Sequence, residues 1–529
     1  MNTVNQQSKQ NSAIELNGIS KSFGNVMANN NINLSLKKGE ILALLGENGS
    51  GKTTLMNMLS GIYHPDAGTI KVNGVEVVIN SPEEAIKLGI GMIHQHFKLV
   101  DVLTATDNII LGSGSSGFLL KKNRSKRIEE ISRHFGLAIE PDKKVYNMSV
   151  SEKQTVEIIK VLYRNADILI LDEPTAVLTP QETEKLFDIL RQMRDEGCAV
   201  IIITHKLNEV MAISDRVTIL RKGESITTVE TSKTTMKELT ELMVGRPVEL
   251  HIEHPTNDYN ENLLEIHHLT IPNEEGFDAI QDISFTLNKG EILGVAGIAG
   301  SGQKELCEAL AGLIPAREGA VLYKKVNLLG KTPKEIINLG ISMSFIPEDR
   351  LGMGLAASMG MVDNLILKTY RKGKGPFVQK EEAKELATEL VKKLDIVTPS
   401  IDTPVRRLSG GNVQKVLLGR EIESQPNVLI TAYPVRGLDI NSSYTIYNEI
   451  NEQKQRGVGV LFIGEDLDVM LELCDRIMVL CNGRITGIVD AKDATKEGIG
   501  LLMTDANSTT LIENTKLREH DAKEERVDD

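Results

Sequence analysis

The sequence predicts an α/β fold built twice, two sheet-and-helix domains in tandem. Three observations lead there. A chain of 529 residues is too long for one core and suits two large ones. Short apolar runs bounded by turns alternate with helical patterns, as strands flanked by helices do. Segments of the first half return, in order, in the second.

The repeat sets the organisation. Asn33-Leu-Ser-Leu-Lys-Lys-Gly-Glu-Ile-Leu-Ala-Leu-Leu-Gly46 returns as Ile283-Ser-Phe-Thr-Leu-Asn-Lys-Gly-Glu-Ile-Leu-Gly-Val-Ala-Gly297, with Gly46 and Gly297 251 positions apart. Met148-Ser-Val-Ser-Glu152 returns as Leu408-Ser-Gly-Gly-Asn412 at an offset of 260, and Ile168–Pro174 returns as Val428–Pro434 at the same offset. The expected organisation is a tail over 1–12, a first domain over 13–247, a linker over 248–261, a second domain over 262–506 and a charged tail over 507–529. The linker, VELHIEHPTNDYNE, is polar, Pro-containing and aperiodic.

Composition narrows the class. A net charge of −13 argues against nucleic acid as the main partner, because a phosphate backbone needs a basic face. With no Trp and 4% aromatics, large base- or sugar-stacking surfaces are not expected. Cys198, Cys307, Cys474 and Cys481 form no CxxC pair and read as buried free thiols. The first twelve residues lack the apolar stretch of a secretion signal. No run approaches the roughly 18 apolar residues of a membrane span, so work at a membrane requires docking to another subunit.

Along the first copy, a strand over Glu40–Leu45 runs into a glycine-rich loop and a helix over Thr53–Leu59. The loop, Gly46-Glu47-Asn48-Gly49-Ser50-Gly51-Lys52-Thr53, matches a phosphate-binding pattern at every fixed position, with Thr54 following. Glycines let successive N–H groups curl around a phosphate, and the helix N-terminus adds its positive dipole end. Lys52 is placed to bridge β- and γ-phosphates and Thr53 to offer a hydroxyl to Mg²⁺. A buried strand, Ile168–Leu171, delivers Asp172 and Glu173 at its tip, one to hold the metal and the other to orient or deprotonate an attacking water. A helical pattern covers Gln181–Arg194, and His205 follows the strand Ala199–Ile203, within reach of a γ-phosphate. Gln95 follows a further predicted strand and by itself carries no chemistry.

This series, Gly46–Thr53, Gln95, a Ser-x-x-Glu segment before a helix, Asp172–Glu173 and His205, resembles the ATP-binding cassette ATPases from about Ile14 to Leu502. The resemblance implies ATP and Mg²⁺ as ligands. It also implies two P-loop domains, each with a RecA-like core, an antiparallel β subdomain and a helical subdomain. It gives Gln95 a contact with Mg²⁺ and the attacking water, and Phe23 the stacking of adenine.

In that family two domains pair head to tail, and each nucleotide lies between one phosphate loop and the other domain's Leu-Ser-Gly-Gly-Gln signature. Pairing the first loop with the second signature unites Lys52, Thr53, Gln95, Asp172, Glu173 and His205 with Ser409, Gly410, Gly411 and Asn412. The opposite pairing is depleted. Gln303 and Lys304 replace Lys52 and Thr53, Ala432 and Tyr433 replace the two acids, and Glu465 and Glu348 stand where His205 and Gln95 do. The facing signature, Ser149-Val150-Ser151-Glu152, has lost both glycines. All the losses fall on one of two composite sites. Hydrolysis at the second is expected to be lower by at least ~10²-fold, the lower end of a general base's contribution; nucleotide binding there stays open.

Two fused cassettes with this asymmetry look like the importers of simple sugars and nucleosides. Ile93-His-Gln-His-Phe97 and the acid-free second strand look more like the nucleoside branch, with the ribose and galactose branch as the alternative. The resemblance implies two membrane permease subunits, docked near Gln95 and His96–Leu99 and near their second-copy counterparts, and a substrate-binding protein outside the cell. It places the chain peripherally on the cytoplasmic face of the membrane, with no transmembrane segment of its own. The rival class, soluble tandem cassettes acting on the ribosome, typically has a long charged helical linker and two intact sites, neither of which is seen here.

Overall fold

The computed structural model describes residues 12–24, 26–94, 97–112, 121–175, 178–204, 206–245, 252, 254–255, 261–273, 275–298, 300–338, 343–347, 349–368, 378–436, 438 and 440–504. Gln95, His205 and Glu348, both tails beyond these bounds and most of the expected linker lie outside the described residues. The chain divides into two compact units, Met1–Glu249 and Leu250–Asp529.

The first unit contains β1 (Ser12–Phe23), β2 (Val26–Lys37), β3 (Ile41–Leu45), β4 (Ala67–Val72), β5 (Val75–Val77), β6 (Ile90–Ile93), β7 (Ile168–Asp172), β8 (Ala199–Ile203), β9 (Arg216–Arg221) and β10 (Glu224–Glu230). They form two sheets. An antiparallel one runs β2-β1-β4-β5, and a six-stranded one runs β10-β9-β3-β8-β7-β6, parallel except for its edge strand β10. The burial patterns follow from this. β3, β7 and β8 are buried at every position, as strands covered on both faces must be, whereas β2 alternates buried and exposed residues along most of its length. Ile14, Leu36, Leu42, Leu44, Leu55, Leu59, Ile170 and Ile201 belong to one apolar core that joins the two sheets and the helix Lys52–Leu59. Helices Ala105–Ile110, Lys121–His134 and Val150–Tyr163 pack on one another, and the last of them also on β6.

The elements depart from expectation by a residue at their ends, for physical reasons. The helix expected over Gln181–Arg194 spans Pro180–Asp195, because Thr179 and Glu182 close a capping box and Pro180 suits the first turn. The strand expected from Glu40 begins at Ile41, since the Glu40 carboxylate turns aside to the Lys37 N–H at 2.6 Å and to Arg216 at 3.0 Å. β7 runs one residue further than expected and includes Asp172. The helix expected from Thr53 starts at Lys52.

The second unit repeats the plan with β11 (Asn262–Pro272), β12 (Asp278–Asn288), β13 (Ile292–Gly297), β14 (Glu318–Tyr323), β15 (Val326–Asn327), β16 (Met343–Ile346), β17 (Val428–Ala432), β18 (Gly459–Ile463), β19 (Arg476–Cys481) and β20 (Arg484–Asp490). Its sheets run β12-β11-β14-β15 and β16-β17-β18-β13-β19-β20, the same order as in the first unit. Within the stretch expected as linker, Ile252 is buried in this unit's core and His254 Nε2 lies 3.2 Å from the Cys474 carbonyl. Among the described residues no helix is long and apolar enough to cross a membrane.

Candidate functional site

Strand order places the phosphate loop and the two acidic residues of the first unit on one rim. β3 and β7 both neighbour β8 and run parallel to it, so their carboxyl ends emerge on the same side. From β3 the chain enters the loop Gly46–Gly51; from β7 it ends in Asp172 and turns at Glu173.

Two glycines are required by the loop's path. A Cβ on Gly46 would stand 2.3 Å from the Leu220 carbonyl oxygen and 2.5 Å from Ser50 Oγ. Gly51, with φ 96°, caps the helix Lys52–Leu59, and a Cβ there would lie 2.4 Å from the Ala28 carbonyl oxygen and the Asn29 amide. Asn48 and Gly49 face solvent and Glu47 is half-buried. Ser50 is buried, and its Oγ has no partner among the described residues. Lys52 is buried with its ammonium folded back over the loop, donating to the Gly46 carbonyl at 2.7 Å and the Glu47 carbonyl at 2.9 Å. Thr53 is exposed and Thr54 half-buried on the helix's first turn.

Asp172 is 8% exposed. Glu173 sits in the left-handed region at φ 48°, held there by its N–H, which donates to the Ile203 carbonyl at 2.9 Å. A non-glycine residue keeps such a conformation only where its surroundings enforce it. Burial pushes the Asp172 carboxyl up to about 6; the Glu173 charge adds to the rise and Lys52 opposes it. Burial likewise pulls the Lys52 ammonium down, against Glu173, Asp172 and Glu47. An orphaned hydroxyl, a glycine cradle and a lysine resting on loop carbonyls together fit a phosphate chain. Thr53 and the disfavoured Asp172 carboxylate fit a divalent cation beside it. Among the described residues there is no cluster of three or more His, Cys, Asp or Glu that could hold a metal ion by itself.

Phe23 ends β1 and is 44% exposed, with its ring set edge-to-face against Tyr63 at 5.1 Å and Lys21 Nζ 5.7 Å from its centroid. Ser409 caps the second unit's helix Gly410–Glu423, and its Oγ accepts from Asn412 Nδ2 at 2.8 Å; Gly410 and Gly411 form the first turn. The first unit's counterpart differs. Ser149 and Glu152 form a closed capping box, with the Glu152 carboxylate on the Ser149 N–H at 2.7 Å and on Lys143 at 2.6 Å. A carboxylate therefore occupies this helix start, where the other signature has Asn412 in its place, with its Nδ2 on Ser409 Oγ.

The second unit's loop keeps the backbone and changes the chemistry. Gly302 has φ 100° and Tyr433 φ 51°, with the Tyr433 N–H on the Ile463 carbonyl at 2.9 Å, as at Gly51 and Glu173. Gln303 Nε2 donates to the Ile298 carbonyl at 3.3 Å, a neutral stand-in for Lys52, and Lys304 lies 3.9 Å from Glu308. A cleft of about 410 Å³ between them is lined by Cys307, Asp349, Ala432 and Tyr433 as well.

Structure thus brings Gly46–Thr54, Asp172 and Glu173 to one rim of the first unit, and Ser409–Asn412 to one helix start of the second. It adds residues that the motifs did not single out. Asn29, fully buried on β2, donates to the Gly51 carbonyl at 3.2 Å and braces the loop. Thr175 and Thr204 both donate to the buried Glu209 carboxylate, at 2.6 and 3.1 Å, tying together the turns that follow β7 and β8. Asn29, Thr175, Thr204 and Glu209 themselves lie in no motif, and Asn29 and Thr175 meet their partners only once the chain has folded, so no sequence signal marked them.

The family model described as ABC transporter matches residues 29–176 and 280–434. The chain is 43% identical over 499 residues to the Nucleoside import ATP-binding protein NupA of Lactococcus lactis subsp. cremoris, covering 93% of this chain and 98% of that protein. It is 43% identical over 497 residues to the Guanosine import ATP-binding protein NupO of Bacillus subtilis, covering 93% and 97%. A solved structure of the complex of archaeal ribosomal stalk protein aP1 and archaeal ribosome recycling factor aABCE1 is 19% identical at a TM-score of 0.59, covering 91% of each chain, a likeness of fold alone. With both halves matched by the family model and relatives this similar along their whole length, the chain belongs to the ABC transporter family.

Proposed function

We propose that this chain is the ATP-hydrolysing subunit of an import system for nucleosides, with one hydrolytic site. The observation that carries this is the contrast between units of one fold. The first keeps a buried lysine beside two carboxylates, and the second has Gln303, Ala432 and Tyr433 at those places. The two relatives named for nucleoside and guanosine import support the cargo class.

In this reading Lys52 leaves the Gly46 and Glu47 carbonyls for the β- and γ-phosphates, and Ser50 Oγ gains the partner it lacks among the described residues. Thr53, Asp172 and Gln95 are the residues that would hold Mg²⁺, which when bound supplies positive charge to the phosphate oxygens. Glu173, fixed by its strained backbone, takes the proton of the attacking water, and His205 contacts the γ-phosphate. Phe23 stacks on the adenine. Ser409, Gly410, Gly411 and Asn412 close the same nucleotide from the second unit, using a hydroxyl and a helix N-terminus. Two permease subunits carry the cargo and a separate binding protein selects it, while this chain sits peripherally on the cytoplasmic face of the membrane.

Turnover of Glu173→Gln tests this. It is expected to fall by at least ~10²-fold with ATP binding kept, since only proton transfer is lost. Turnover near the wild-type rate would show that the second site hydrolyses ATP and would sink the asymmetric reading.

A further inference from the structure

In the second unit, the segment after β16 reaches both the signature helix and the turn after β17. Asp349 caps the π-helical turn Arg350–Gly354, accepting the Gly352 N–H at 2.8 Å. The Arg350 guanidinium then forks. Nη1 donates to the Gly410 carbonyl at 3.0 Å, and Nη2 donates to the Arg436 carbonyl. Gly410 opens the signature helix, and Arg436 lies in the turn after β17. That turn is itself held. The Arg436 guanidinium carbon stands 5.8 Å from the Tyr433 ring centroid, and its Nε is 3.3 Å from the Glu465 carboxylate. Tyr433 and Glu465 occupy the places of Glu173 and His205 in the other copy. The side chains that displaced the hydrolytic pair thus hold the loop that gives Arg350 its second acceptor.

The helix start needs such a support. Two glycines in a first turn lose more conformational freedom on ordering than any other pair. The first unit's signature has no glycines and is closed by the Ser149–Glu152 box. In the second, Asn412 has no carboxylate to close that box, and its Oδ1 is engaged by the Val397 N–H at 2.9 Å. The residue that aligns with Arg350 in the first unit is Phe97, which has no side-chain donor. A planar guanidinium suits the task, because two donors of one rigid group can fix two carbonyls relative to each other.

We propose that Arg350 is a positioning residue for the ATPase reaction. It locks the Gly410–Gly411 start of the signature helix to the turn 433–436, so that Ser409 Oγ and the first-turn N–H groups are held ready for the triphosphate. This rests on the reading that the second unit's signature serves the nucleotide at Lys52.

The test uses the full-length chain with Arg350→Gln, Arg350→Lys and Ser409→Ala. It measures ATPase kcat, ATP affinity by equilibrium dialysis, and hydrogen exchange at the amides of 411–414. Arg350→Gln is expected to lower kcat about 10-fold with ATP affinity within about twofold, since misplacement of a positioned group costs rate rather than ground-state binding. Exchange at 411–414 is expected to rise in parallel. Arg350→Lys is expected to restore part of both, because one ammonium reaches only one carbonyl well. Should the Gln variant fail to fold, the Lys variant decides, with lower kcat and faster exchange supporting the proposal. Wild-type turnover in the Arg350 variants, with or without faster exchange, while Ser409→Ala is impaired, overturns the positioning role and leaves the composite site standing. Wild-type turnover in Ser409→Ala overturns the composite site and this proposal with it.

Discussion

Asp172 is buried beside a second carboxylate, an arrangement that Lys52 relieves only in part. Its folded pKa is raised from 3.8 to about 6, so the folded chain holds that proton more tightly than the unfolded one. The sign follows. The group's contribution to stability is fullest below about pH 4 and is lost as pH rises through about 6. Above that, the ionised Asp172 costs on the order of 2–3 kcal/mol, from about two units at 1.36 kcal/mol each. Asp172→Asn removes the cost. In the nucleotide-free protein it is expected to raise Tm by several degrees at pH 8 and to change it little at pH 4; equal shifts at both would contradict this origin. Lys52, Asp172 and Glu173 were legible in the sequence because phosphate chemistry demands fixed residue types at fixed spacing. Asn29 and Glu209 were not, because they act on a backbone carbonyl and on hydroxyls brought near only by the folded chain. The left-handed backbone of Glu173 was equally hidden, since a glutamate gives no hint of a positive φ.

Among the elements, buried parallel strands were the plainest to read, because strands covered on both faces become short unbroken apolar runs. Helix ends were read less well, because a cap such as Thr179 with Glu182 adds residues without adding periodicity. Charge pairs that tie helices to sheets escaped the sequence altogether, and they differ between the copies. In the second unit Lys454, at the end of helix Ile440–Gln455, is fully buried on Asp475 at 2.6 Å, and Asp475 also accepts the Ile292 N–H of β13 at 2.8 Å. In the first, the matching Arg194 and Asp215 are 3.4 Å apart and partly exposed. Lys454→Met leaves a buried carboxylate without its cation and is expected to cost about 3–5 kcal/mol in urea unfolding. Arg194→Met is expected to cost less than about 1 kcal/mol, the range of solvent-screened pairs. Similar costs for both would show that burial does not set the difference.

At the scale of the whole molecule, one fold occurs twice with its chemistry divided between the copies. Strand order, the left-handed residue after β7 and β17 and the glycine cap of the loop helix are kept in both. The side chains that would act on phosphate are kept in one loop and in the opposite signature. The tandem repeat and this division were both legible in the sequence, because each altered position could be compared with its counterpart in the same chain. The bracket around Arg350 was not, since its acceptors are two backbone carbonyls. The division between copies is tested most directly by comparing ATP turnover in Ser409→Ala and Ser149→Ala, two losses of the same helix cap. Each is expected to cost about 1 kcal/mol of stability. On the proposed composite site, Ser409→Ala is expected to lower turnover by about 10²-fold and Ser149→Ala to leave it within about twofold, because that proposal puts only the Ser409 cap on a hydrolysed nucleotide. Equal losses in the two variants, or a larger loss in Ser149→Ala, would contradict it.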